Sequence, residues 1–340
     1  MIRVGLAGYG LAGSVFHAPM IRACDRMELS GVLTSRDLAE RAGSIDELFE
    51  RSDLVVVATP NRTHFEIAAA ALNSGKHVVV DKPFTVTIEE ADALVALANE
   101  RGRLLSVFHN RRWDGDFLTV QRILPELGEL MLFEAHWDRF RPAIKRGWRE
   151  TPEPGSGLFS DLGPHLIDQA LLLFGIPDAI AADIIGQRSE ARVDDYFDVT
   201  LHYGPRRVCL SSSSLVADAR PRFAAHGTAG SFVKYGLDPQ EAQLKSGRGP
   251  HDVGFGVDER DGVLTLPDGT RGRVRTERGN YLAFYEAVAA ALLDGAPPPV
   301  APRQARDGLL LIDLARRAAA EGRTLAVPGA SSTGGSVQQG

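Results

Sequence analysis

Residues 54–59, Leu-Val-Val-Val-Ala-Thr, leave no polar face. A strand with one wet side alternates apolar and polar residues, so a nearly continuous apolar run predicts a central strand of a parallel sheet, covered on both faces. Parallel strands need long crossover connections, usually helices. The flanking sequence supplies both partners. Ile2–Ala7, Met27–Thr34, Val78–Val80 and Leu104–Phe108 read as further strands, and Val15, Phe16, Met20 and Ile21 stand at helical spacing after Gly13. A second helix is predicted over about 63–74. Thr87 and Glu90 form a T-x-x-E capping box ahead of a third, which runs to Glu100. Residues 1–120 therefore predict a doubly wound α/β domain with a parallel sheet.

From Gly128 the character changes. The segments 130–140, 178–187, 196–203, 207–216 and 222–227 alternate as half-buried strands do and predict a large, mostly antiparallel sheet. One helix is expected at about 165–174 and two more at about 281–293 and 303–320. Residues 121–325 thus read as a second, α+β domain. An open sheet face with apolar rows would favour symmetric association, so a homodimer or homotetramer is expected. Residues 326–340, rich in Gly, Ser and Gln, are expected to form a disordered tail.

Composition narrows the function classes. A chain of 340 residues suits two domains. The net charge of -6 argues against nucleic-acid binding. Cys24 and Cys209 both lie in apolar segments, which suggests free thiols in a reducing, cytoplasmic compartment. No apolar run approaches the roughly 18–20 residues that span a bilayer, so no membrane partner is expected. The strand pattern begins at Ile2 and leaves no room for a signal peptide.

The motif GYGLAG places Gly8, Gly10 and Gly13, with Leu11 and Ala12 between them, directly between the first strand and its helix. In that context Gly8 permits the tight turn, Gly10 lets backbone N–H groups approach a pyrophosphate, and Gly13 lets helix and strand pack closely. The helix N-terminus favours the negative charge. A purely structural turn is the competing reading. An NAD site carries a carboxylate at the end of the second strand. Here Thr34, Ser35 and Arg36 stand instead, which suits a 2'-phosphate and therefore NADP, with NAD second. Asp37 reads as a helix-starting cap, and Arg36 as a mere surface charge stays open.

In order along the chain, GYGLAGSVFHAP, VVVATPNRTHFEIA, SGKHVVVDKPF and GLFSDLGPHLID resemble the Gfo/Idh/MocA oxidoreductases over about residues 1–325. SVFHAP, FHNRRWDGDFLTV and HGTAGSFVKYGLDPQE are most similar to the NADP-dependent scyllo-inositol dehydrogenase branch. The resemblance implies a Rossmann domain and a mapping of the family's E-K-P signature onto Asp81, Lys82 and Pro83, with Asp in place of Glu. Lys82 would touch nicotinamide ribose and substrate. Asp161 and His165, four apart in DLGPH, lie on one face if the helix already runs there. Pro164 is tolerated only in a first turn, so that helix is expected to start near Asp161.

By resemblance His165 is the general acid/base and Asp161 orients substrate. An imidazole suits proton transfer in either direction near neutrality. Thr59, Pro60, Asn61 and His64 match the loop under the nicotinamide, and His109, Asn110 and Arg111 close the next strand, so Asn110 joins the cofactor candidates. Arg141, Trp148 and Tyr235 are candidate polyol contacts, of which Tyr235 is the one retained. A metal held by Asp161, His165 and Asp168 lacks a fourth ligand, so no metal is expected. One departure stands out: only 17 residues separate Arg36 from Leu54, where the family has a longer stretch with an additional short strand. The expected function is an NADP-dependent oxidoreductase moving a hydride to or from a cyclitol or sugar, with scyllo-inositol first. Its rivals are another sugar or keto-sugar reductase and a non-catalytic NADP-binding sensor.

Overall fold

The structure is a computed structural model that describes residues 1–144, 147, 150–152 and 155–329. Six parallel strands form the first sheet: β1 (Ile2–Ala7), β2 (Met27–Leu33), β3 (Arg41–Ala42), β4 (Leu54–Val57), β5 (His77–Asp81) and β6 (Leu105–Phe108), in the order 3-2-1-4-5-6. This is the strand order of the doubly wound dinucleotide-binding sheet. All four residues of β4 are buried, as a strand covered on both faces requires. A π-helical turn, Ala12–His17, runs into α1 (Ala18–Ala23). The helices α2 (Ile45–Glu50), α3 (His64–Asn73) and α4 (Ile88–Arg101) complete the crossovers. At α4 the capping box forms: Glu90 N donates to Thr87 Oγ1 (3.2 Å) and Thr87 N to Glu90 Oε2 (3.3 Å).

The short strand expected to be missing between Arg36 and Leu54 is present as β3, paired to Val32 and Leu33. Two residues without an apolar run leave nothing to read in the sequence.

After α5 (Gly115–Ile123) comes the second sheet. Its nine strands are β7 (Leu130–His136), β8 (Ala179–Ile185), β9 (Tyr196–Tyr203), β10 (Arg206–Ser213), β11 (Phe223–Gly227), β12 (Gly230–Lys234), β13 (Gly262–Thr265), β14 (Arg271–Val274) and β15 (Leu325–Ala326). They lie in the order 14-13-12-11-7-10-9-8-15, antiparallel except where β7 and β10 run parallel. The helices α6 (Leu158–Phe174), α7 (Gln240–Lys245), α8 (Leu282–Asp294) and α9 (Pro302–Glu321) belong to the same half of the chain.

Three expectations change. First, α6 starts at Leu158 and carries Pro164 in its interior. Its N-terminus is capped from afar: Asp194 accepts Leu158 N at its carbonyl (2.9 Å) and Phe159 N at its carboxylate (2.6 Å), a partner no local signal reveals. Second, Phe284, Tyr285, Val288 and Ala289 of α8 pack into the core of the first sheet, not the second. Third, the open sheet face is mixed. In β9 the buried Phe197, Val199 and Leu201 alternate with half-exposed Tyr196, Asp198, Thr200 and His202, so the apolar rows expected to drive association are absent there. Ala326 pairs with Ala179 and Val327 is buried, so order extends past the expected start of the tail; residues 330–340 lie outside the described ones.

Candidate active site

The glycine loop has the geometry its residue types demand. Gly8 sits at φ +98°, where a side chain is strained, and a Cβ there would lie 2.5 Å from the Ala58 carbonyl oxygen. A Cβ at Gly13 would collide with the Gly8 carbonyl, whereas one at Gly10 would meet nothing within 4 Å. The backbone at Gly10 therefore faces open space. That space is a cleft of about 490 Å³ lined by Gly8, Gly10, Leu11, Ala12, Thr34, Ser35, Arg36, Thr59 and Pro60, the expected cofactor residues. Thr34 Oγ1 accepts Arg36 N (3.2 Å), and the Arg36 guanidinium lies 5.7 Å from the centre of the Tyr9 ring. An open glycine cradle at the carboxyl ends of parallel strands fits a dinucleotide.

His64 serves this loop indirectly. Its Nδ1 lies 2.9 Å from the Pro83 carbonyl and its Nε2 2.9 Å from that of Thr59, so it ties the Thr59 loop to the Asp81–Pro83 turn. Asn61 opens a short 3-10 turn and lies against Gly155. Asn110 is buried at the start of another.

Lys82 leaves the end of β5 across a cis bond to Pro83. Its backbone N–H donates to Asp81 Oδ1 (2.8 Å). Its Nζ donates to the backbone carbonyl of Asp161 in α6 (2.9 Å) and lies 3.7 Å from the Asp161 carboxylate. Arg139 holds the other carboxylate oxygen at 3.6 Å. One turn on, His165 is buried, and its Nδ1 has no hydrogen-bond partner among the described residues. Burial, then Lys82, Arg111, His109 and Arg222, hold its imidazole well below the usual range. Lys82, Asp161 and His165 thus converge from two domains. Among the described residues no three His, Cys, Asp or Glu side chains lie close enough to hold a metal ion.

The other candidates separate. Arg111 does not line the cleft freely: it donates to Tyr281 Oη (2.6 Å) and pairs with Glu241 and Asp114. Asp168 is taken by Arg112 through both carboxylate oxygens (2.9 and 2.7 Å), with His109 Nδ1 3.8 Å away. Tyr235, one residue past β12, is more than half exposed, and no hydrogen bond, ion pair or ring contact joins it to Lys82 or His165. Arg141 is exposed, and Trp148 lies outside the described residues.

Sequence reasoning missed His17, Trp137, Arg139 and Arg222. His17 is fully buried behind Asp81, its Nδ1 2.6 Å from Tyr285 Oη and its Nε2 3.8 Å from Asp81 Oδ1. Burial pushes the Asp81 carboxyl up, but His17, Lys82 and His64 outweigh it and hold it below the usual range. The SVFHAP motif could have pointed to His17. Nothing local marks the other three.

Comparisons with known proteins agree with this architecture. The model of the Gfo/Idh/MocA oxidoreductase family's NAD-binding Rossmann fold matches residues 2–109, and that of its C-terminal alpha/beta domain matches residues 122–327. The uncharacterized oxidoreductase YdgJ of Escherichia coli is 47% identical, over 95% of this chain and 98% of that one. The scyllo-inositol 2-dehydrogenase (NADP(+)) IolW of Bacillus subtilis is 39% identical, over 95% of each. A crystal structure from Klebsiella pneumoniae, 39% identical and covering 96% of both chains, superposes with a TM-score of 0.92. With both domain models matched and a lysine, an aspartate and a histidine converging beside the nucleotide cleft, the chain belongs to the Gfo/Idh/MocA family of oxidoreductases and is an NAD(P)-dependent dehydrogenase acting on CH–OH groups.

Proposed function

We propose that the protein is an NADP-dependent dehydrogenase of cyclitols or sugars, with scyllo-inositol and its ketone as the first substrate pair. The observation that carries this is the contact of Lys82 Nζ with the Asp161 carbonyl, one helical turn from His165, which brings groups able to handle a proton together at the end of β5. A bound nicotinamide would supply the hydride acceptor or donor. Lys82 and His165 would grip the reacting hydroxyl, with neutral His165 taking its proton on oxidation and returning it on reduction. Asp161, braced between Lys82 and Arg139, would orient neighbouring hydroxyl groups. Thr34, Ser35 and Arg36 would receive the 2'-phosphate, which is the basis for NADP over NAD.

The relative with a scyllo-inositol dehydrogenase name supports the substrate choice. The proton-handling set speaks for catalysis over sensing, since a sensor has no need of it. The test is a panel of scyllo-inositol, myo-inositol, glucose and xylose, each with NADP and NAD, read by nicotinamide absorbance. Oxidation of a sugar in preference to every inositol would overturn the substrate, and preference for NAD would overturn the cofactor. We further propose that copies of the chain associate into a homodimer or homotetramer through the open face of the second sheet, where Ala179, Ala181 and Ile185 of β8 and Tyr196 of β9 stay accessible beside polar residues; a clean monomer mass by light scattering would refute it.

A further inference from the structure

Behind His165 two arginines share one indole. The Arg111 guanidinium lies 4.8 Å from the Trp137 ring and that of Arg222 lies 4.9 Å from it, while the imidazole of His165 is 6.0 Å from Trp137, tilted by 33°. The negative face of an indole is the best side-chain partner for a guanidinium, which allows two like charges to be held this deep. We infer that Trp137, Arg111 and Arg222 form a cationic bed that helps keep His165 a neutral proton acceptor, with Arg222 as a positioning residue that adds to the effect.

The charges around His165 differ in how far they are compensated. Lys82, from the end of β5, and Arg139, after β7, both face Asp161. Asp168, on α6 itself, is consumed by Arg112, and His109, after β6, stands 3.8 Å from it. Arg111, before α5, is met by Asp114, Glu241 and the Tyr281 hydroxyl.

Arg222 is different. It is 2% exposed, and among the described residues its guanidinium makes one hydrogen bond, from Nη2 to Gln169 Oε1 (2.9 Å). Among the described residues Nε and Nη1 have no hydrogen-bond partner, and Asp116, 3.6 Å away, has both carboxylate oxygens without one, while burial pushes its carboxyl up. A guanidinium keeps its proton even when buried. Its charge is thus the less neutralised of the two on the bed, and both it and His165 are buried, where screening is weak. Burial depresses the imidazole most, then Lys82, Arg111 and His109, and Arg222 adds to them in the same direction.

A consequence concerns direction. A neutral imidazole is ready to accept a proton from a hydroxyl at ordinary pH, so oxidation proceeds without prior titration. Reduction needs the imidazolium and weakens as pH rises.

The inference rests on His165 being the proton-transfer group, so its test reads the imidazole without substrate. The full chain, labelled at histidine, is titrated by NMR, with His165→Gln assigning the signal. Arg222→Met is expected to raise the His165 midpoint by about one pH unit, the size of effect one nearby charge has on a buried group. Arg222→Lys, which keeps the charge, should stay within about 0.3 unit of wild type. A structural role alone would make lysine as disruptive as methionine. A methionine midpoint equal to wild type overturns the inference; if that variant does not fold, an Arg222→Gln midpoint equal to wild type does so. An inactive polyol panel would sink the proposed function without touching these midpoints.

Discussion

The nucleotide cleft and the candidate reacting centre are built by opposite means. The nucleotide end is made of short contiguous stretches, residues 8–12, 33–36 and 58–60, and works mostly with backbone and with an exposed Arg36. The reacting end is drawn from β5, the turn after β6, the strand end near Trp137, α6 and the approach to β11, and it buries Arg111, Arg222, His109 and His165 together. A backbone cradle binds by shape and by fixed dipoles, so it needs glycine and little else. A proton-transfer centre works by the field of charges held out of water, which only tertiary packing supplies.

The comparison breaks most sharply at Lys82. Replacing it by alanine should cut turnover by about 10² to 10⁴-fold, the contribution of a positioned acid–base group, while the NADPH dissociation constant moves far less. Steady-state rates beside a fluorescence titration decide it; retention of half the wild-type turnover would mean the reacting end lies elsewhere.

At the other end Arg36→Ala should weaken NADP by about 10 to 100-fold, as loss of a charged hydrogen bond implies. NAD should be indifferent. Equal losses for both nucleotides would reduce Arg36 to a surface charge.

Burial at the reacting end also predicts a pH signature. His165 titrates lower folded than unfolded, so below about pH 6.5 the unfolded chain takes up a proton that the native one refuses, and stability is lost as pH falls. Wild-type stability relative to His165→Gln should therefore decline by as much as about 1.4 kcal/mol per pH unit below that point, the other titrating groups cancelling in the difference. Urea unfolding of both proteins at several pH values measures it, and a flat difference contradicts a buried neutral imidazole.

The smallest expected effect sharpens the contrast. Gly10→Ala should change stability by under about 0.5 kcal/mol, because its Cβ meets nothing. Cofactor binding should still weaken, since the methyl occupies the space above the cradle. A variant with unaltered nucleotide titration would show that the pyrophosphate does not lie there.

Much of the fold was legible because it is written in local patterns. The apolar run of β4, the Thr87–Glu90 box and the glycines each act within a few residues of themselves. Lys82, Asp161 and His165 were legible through motif resemblance, and their meeting is a matter of folding. The start of α6 was not legible, since Asp194 caps it from 35 residues away in sequence. Nor was the membership of α8 in the first core, which depends on which apolar surface lies within reach once the sheets are placed.

The sequence by itself determined a parallel nucleotide-binding sheet, its glycine cradle and the residue types at the strand ends, because backbone sterics and apolar periodicity act over short range. Tertiary structure alone decided that Arg222 lies beneath Trp137, that Arg139 braces Asp161 and that His17 stands behind Asp81. Those contacts join residues far apart along the chain, and a lone arginine or histidine reads the same in sequence whether it ends in water or against a buried ring.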